Sequence, residues 1–126
     1  MSDTKAIQDK ASRIEKCGKR ILLDICEPAF ANEDTFSAYL DGLAVFGHCL
    51  VAVVTNRYAW YNDGYGGDGQ LRMEPATIAW IQQVSSLEDY MYLFNTDSSY
   101  FGWSETDNYS VEWYAVPQRR ARSLKL

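Results

Sequence analysis

The chain reads as an α+β domain: two N-terminal helices packed on a mostly antiparallel sheet of four to five strands, with room for one further short helix. Three observations point there. Apolar residues recur at three- and four-residue spacing through the N-terminal third, a short unbroken β-branched run, "HCLVAVVT", follows, and the second half alternates apolar and polar residues between turn-forming clusters.

The first helix is expected over 2–27, where Ile7, Ala11, Ile14, Cys17, Ile21, Leu22 and Ile25 form one stripe and Pro28 closes it. Its other face holds the basic residues, with Glu15 and Lys19 at the favourable i, i+4 spacing. Asn32 is a good N-cap for a second helix, and Glu33 and Asp34 sit at the positive end of its dipole. Phe36, Tyr39, Leu40 and Leu43 supply its buried stripe, and Gly47 its stop.

"HCLVAVVT" is almost continuously apolar, which predicts a central strand buried on both faces. The "NR" pair after it is read as a turn into a second strand, "YAWY", and a glycine-rich loop follows. "TIAWIQQV" has strand residue types, although Pro75 also suits the first position of a helix. Ser86 followed three residues later by Asp89 is a capping signal for a short helix over "LEDYMYLF". "YFGWS" and "YSVEWYAV", separated by "ETDN", read as a hairpin. After Pro117 the segment "QRRARSLKL" offers no core pattern and is expected to fray. The domain division is therefore 1–116 as a single α+β domain and 117–126 as a basic C-terminal tail.

At 126 residues and 47% apolar composition, the chain can bury one continuous core. No apolar run is long enough to cross a bilayer, and the charged N-terminus does not read as a secretory signal. Cys17, Cys26 and Cys49 are odd in number and widely spaced, so no disulfide framework is expected. A cytoplasmic setting fits these features.

The net charge of −5 conceals a partition. Residues 1–23 carry +3 and residues 117–126 carry +4, whereas the stretch between them carries −12, with Arg57 and Arg72 its only cations. Between Tyr58 and Tyr114 lie fourteen of the eighteen aromatic residues, so some rings are expected at the surface. Carboxylates that steer an encounter and Tyr or Trp side chains that anchor it are the ingredients of a binding surface for a basic partner.

The chemical motifs fit less well. Counted from Asp63, the glycine-rich stretch places Glu74 at the twelfth position of a calcium loop, but Tyr65, Gly67 and Asp68 stand where two oxygen ligands and a glycine are required. No Lys or Ser/Thr follows "GYGGDG" to hold phosphate. Cys17, Cys26, His48 and Cys49 lack zinc-module spacing, and His48 and Cys49, adjacent in a strand, point to opposite faces. Neither a metal nor any other cofactor is expected, and catalysis is not.

The expectation is a small acidic binding protein that inhibits or neutralises a basic, nucleic-acid-binding protein such as a nuclease. Its carboxylates would take places normally filled by phosphates. In physical character it stands beside toxin-immunity proteins and phage-encoded blockers of defence nucleases, with no motif to identify a family. The expected contact residues are Asp63, Tyr65, Asp68 and Glu74, with Asp97, Trp103, Glu105 and Asp107 near the hairpin. The alternatives are a small enzyme using a carboxylate pair drawn from Glu74, Glu88, Glu105 and Glu112, or a nucleic-acid binder acting through the basic termini. Direct nucleic-acid binding is disfavoured by the acidic body, and no membrane partner is expected.

Overall fold

A computed structural model of the protein describes residues 2–23, 32–62, 70–96 and 106–126, with 2–4, 59–62, 70–73 and 106–107 as backbone only. The elements are α1 (Ser2–Cys17), β1 (Lys19–Ile21), α2 (Glu33–Val45), β2 (His48–Asn62), β3 (Gln70–Met73), β4 (Thr77–Val84), α3 (Leu87–Thr96), β5 (Thr106–Pro117) and α4 (Gln118–Ser123). All strand pairings are antiparallel, and the fold is the α+β arrangement expected.

β2 is the spine of the sheet. β5 runs along one side of it, from His48 opposite Pro117 to Ala59 opposite Thr106. Along the other side lies β4, from Leu50 opposite Val84, and then β3, from Ala59 opposite Met73. The β4 register slips between Val54 and Thr55, and Glu74, Pro75 and Ala76 interrupt the ladder before β3. Pro75 has no amide proton to give, so a break there loses little. The Glu74 amide still donates to the Tyr58 carbonyl at 2.9 Å and holds the break against β2.

Alternation along β2 divides the core. Cys49, Val51 and Val53 face one way with Tyr114 and Val116 of β5, and there they meet Ala11 and Ile14 of α1 and Ala121 and Leu124 at α4. Leu50, Ala52 and Val54 face the other way with Trp113 and Val84, against Phe36 of α2 and Tyr90 and Leu93 of α3. The result is three layers: α1 and α4, the sheet, then α2 and α3. Full burial of each Val or Leu on β2 is worth about 1.5–3 kcal/mol, which makes this strand the main source of stability.

The expected N-caps are present. Asn32 Oδ1 accepts from the Thr35 amide at 3.0 Å, and the Asn32 amide donates back to Thr35 Oγ1 at 3.3 Å, so two otherwise orphaned donors are satisfied. α2 ends as expected at Gly47, whose φ of +75° suits glycine. The Asp89 amide donates to Ser86 Oγ at 3.2 Å, and this cap starts α3.

Four expectations need correction. The first helix stops at Cys17 instead of continuing to residue 27. Gly18 permits this: a Cβ there would lie 2.8 Å from the Ile14 carbonyl oxygen and 3.2 Å from that of Ala115, so only glycine lets α1 approach β5 and turn into β1. Ile21 then packs in the opposite core from Ile14, and the apparent single stripe belongs to two elements. Pro28 lies outside the described residues.

Secondly, "NR" is no turn. Asn56 pairs with Tyr109 on one side and Thr77 on the other, and β2 continues to Asn62. Thirdly, Thr106, Asp107 and Asn108 of the expected "ETDN" turn are strand, paired with Ala59, Tyr58 and Arg57; the "YFGWS" arm lies outside the described residues. Fourthly, the C-terminal segment does not fray. It forms α4, and Ala121 and Leu124 are buried, with Leu124 bonded through its amide to the Arg120 carbonyl at 2.9 Å.

Candidate functional site

The two helical layers carry opposite charge. α2 holds Glu33, Asp34 and Asp41, and α3 holds Glu88 and Asp89, with no Lys or Arg on either helix. α1 and the α4 segment hold Lys5, Lys10, Arg13, Lys16, Arg119, Arg120, Arg122 and Lys125 against Asp3, Asp9 and Glu15. Among the described residues one salt bridge forms, Arg20 Nη2 to Glu112 Oε1 at 3.9 Å, and both its partners are on the sheet. The acids of the α2–α3 layer are therefore not neutralised by the cationic ends of the chain.

Two of these carboxylates have structural work. Glu33 Oε2 accepts the Leu87 amide at 3.2 Å, joining α2 to the start of α3, and Asp89 Oδ2 accepts the Ser85 amide at 3.0 Å. Asp34, Asp41 and Glu88 remain exposed. Asp34, Ala38, Asp41 and Val45 form one exposed stripe on α2, and Glu88 and Tyr92 share a face of α3 at i, i+4. Tyr92 is 64% exposed, and Val45 and Phe46 are exposed at the end of α2.

Most of the described aromatic side chains, however, serve the core. Tyr90 lies 5.0 Å from Trp113 and 5.7 Å from Phe36, centroid to centroid. Tyr114 is buried on the opposite face, whereas Trp80, Phe94 and Tyr109 are half-buried. Of the described rings between positions 58 and 114, only Tyr58 and Tyr92 are exposed. Among the described residues the rings expected at the surface are thus Tyr58 and Tyr92, and a sheet covered on both sides has room for the others inside.

Among the expected contact residues, Asp63, Tyr65, Asp68, Asp97, Trp103 and Glu105 lie outside the described residues. Glu74 is exposed at the break between β3 and β4. Asp107 is on β5, directly opposite Tyr58. Glu74 and Asp107, from separate stretches of sequence, thus flank the same exposed Tyr58, one bonded to its carbonyl and the other paired across the ladder. Asn62, Gln70 and Thr106, where the two expected contact stretches join the sheet, all lie at this end of it.

Two polar hollows lie elsewhere on the sheet. One, of about 320 Å³, is lined by Thr55, Arg57, Ala76, Asn108, Ser110 and Glu112. Glu112 Oε2 accepts the Tyr114 hydroxyl at 2.8 Å. The phenol is pushed up to about 12, first by burial, then by that hydrogen bond and the nearby charges of Glu112 and Glu15, against an opposing pull from Arg20. Among the described residues Glu112 is the only carboxylate lining the hollow, and none of them pairs with it for acid–base work.

The other hollow, of about 260 Å³, brings His48 and Asp41 to the start of β2 beside Ser37, Ser85 and Gln118. Burial raises the pKa of the neighbouring Cys49 thiol, which disfavours the nucleophilic thiolate. Among the described residues no group of three His, Cys, Asp or Glu side chains is placed to hold a metal ion, and no helix is long and apolar enough to cross a membrane.

The opposed helical layers are the feature that sequence reasoning missed. The charge partition along the chain was its signal, but its spatial form required knowing that α1 and α4 share a face. No protein-family model matches the chain, and neither does any curated protein or solved structure.

Proposed function

We propose that the protein is a binding module that inhibits or neutralises a basic, nucleic-acid-binding protein. The observation that carries this reading is the segregation of charge across the sheet: an α2–α3 layer with five carboxylates and no cation, left unpaired by the cationic ends of the chain. Such a layer attracts a basic surface from a distance and repels nucleic acid. Asp34, Asp41 and Glu88 supply the steering charge, and Tyr92 supplies an exposed ring beside Glu88 on α3.

The end of the sheet around Tyr58 provides the second part of the contact. Glu74 and Asp107 flank it, and the stretches carrying Asp63, Tyr65, Asp68, Asp97, Trp103 and Glu105 attach there. Carboxylates in these positions would stand in for phosphates in the partner's groove.

The test is capture of the partner from a lysate by the tagged protein, followed by binding kinetics at two ionic strengths. The expected result is a basic protein at one-to-one stoichiometry, with association slowed several-fold by Asp34→Asn/Asp41→Asn/Glu88→Gln and by added salt. Binding that ignores both the substitutions and the salt overturns the electrostatic account.

A further inference from the structure

α1 and α4 come from opposite ends of the sequence, and apolar packing brings them together. Ala11, Ile14, Ala121 and Leu124 are buried in one cluster with Val51 and Val116. This packing seats two cationic segments side by side. Between them lies a hollow of about 380 Å³ lined by Arg13, Lys16, Cys17, Arg120, Ser123 and Leu124. A second hollow, of about 280 Å³, shares Arg13, Ser123 and Leu124 with it and adds Lys10, Lys125 and Asp9, so the two form one trough. Its larger part lies within the size range of small-molecule sites, roughly 300–1,000 Å³.

Among the described residues, five cations and one carboxylate border this trough. Among the described residues none of the five has a carboxylate within salt-bridge distance, since the one ion pair is Arg20 with Glu112. Holding like charges around a shared hollow costs free energy in the free protein, and an anion between them removes that cost.

We propose that the trough binds a small polyphosphorylated anion through its pyrophosphate group, supplied either by an inorganic polyphosphate or by a nucleotide. Arg13 and Arg120 offer planar guanidinium forks matched to phosphate oxygens, and Ser123 adds a hydroxyl donor. Lys10, Lys16 and Lys125 extend the positive charge along the trough, which suits a ligand with more than one phosphate. A compact anion fits better than a nucleic-acid strand. At physiological salt it feels chiefly the cations within about 8 Å, whereas a strand must also run past the rest of a molecule whose net charge is −5.

The experiment is titration of the full-length protein at low ionic strength with sodium pyrophosphate and, in parallel, ADP, followed by amide NMR and thermal unfolding. Saturable shifts centred on residues 10–17 and 120–125, with a melting temperature that rises with ligand concentration, are expected. Arg13→Gln/Arg120→Gln should weaken binding on the order of tenfold or more. Lys19→Gln, on β1, should change it by less than about twofold. Equal affinity for the two probes assigns the inorganic source, and tighter ADP binding assigns the nucleotide. Arg13 and Arg120 are exposed, so their replacement spares the core, and the wild-type shift map does not depend on the variants. The proposal is overturned if neither probe binds, if shifts scatter over every Lys and Arg, or if only a short single-stranded DNA occupies the trough.

Discussion

The two sides of the sheet differ in core as well as in charge. Beneath α2 and α3 the core is aromatic, with Tyr90 between Phe36 and Trp113 and with Tyr39 and Phe94 at its margin. Beneath α1 and α4 it is small and aliphatic, built from Ala11, Ile14, Val51, Val116, Ala121 and Leu124 around the single ring of Tyr114. One strand, β2, serves both, because alternation lets its two faces be packed independently. Burial therefore fixes only the inner stripe of each helix, and the outer stripes on the two sides are left free to take opposite charge.

Three measurements sharpen or break this contrast. The largest effect is expected on the aromatic side, where Phe36→Ala should cost about 3–5 kcal/mol in urea unfolding, since a fully buried ring leaves a cavity that its ring neighbours cannot close. On the aliphatic side the weak point is the backbone: Gly18→Ala should cost about 1–3 kcal/mol, because the added methyl meets two carbonyl oxygens that cannot turn aside. A Gly18→Ala loss as large as that of Phe36→Ala would remove the distinction.

The smallest effect is a pH dependence centred on Tyr114. Its folded-state pKa of about 12 exceeds the ordinary phenol value, so above pH 10 the folded protein keeps a proton that the unfolded chain has lost. Stability from this group is full below pH 10 and falls as pH rises towards 12, with a slope of up to about 1.4 kcal/mol per pH unit. Tyr114→Phe should flatten that part of the profile in pH-dependent unfolding.

Local signals made much of this fold legible. Asn32, Gly47 and the Ser86–Asp89 pair mark helix ends through backbone chemistry that needs no distant partner, and the run from Cys49 to Val54 has no plausible place but a buried strand. The misread elements depend on distant partners. β1 is three residues long and exists because β5 offers it a ladder. α4 shows only Ala121 and Leu124 at i, i+3 after Pro117, too little to outweigh four cations until α1 supplies the other half of the core. The candidate surfaces follow the same division: the acidic content was visible in composition, whereas the cationic trough is a product of tertiary packing between the chain's two ends.

The interruption at Pro75 and the slipped register after Val54 have a consequence for self-association. A long, flat border of unpaired amides and carbonyls invites strands from other molecules, and the border formed by β4 and β3 is broken at residues 74–76 and bent by the slipped register. A strand adding along this border meets two short ladders in place of one continuous template. At this border, recognition through side chains, where charge and shape discriminate between partners, is favoured over β-augmentation, which is largely indifferent to sequence.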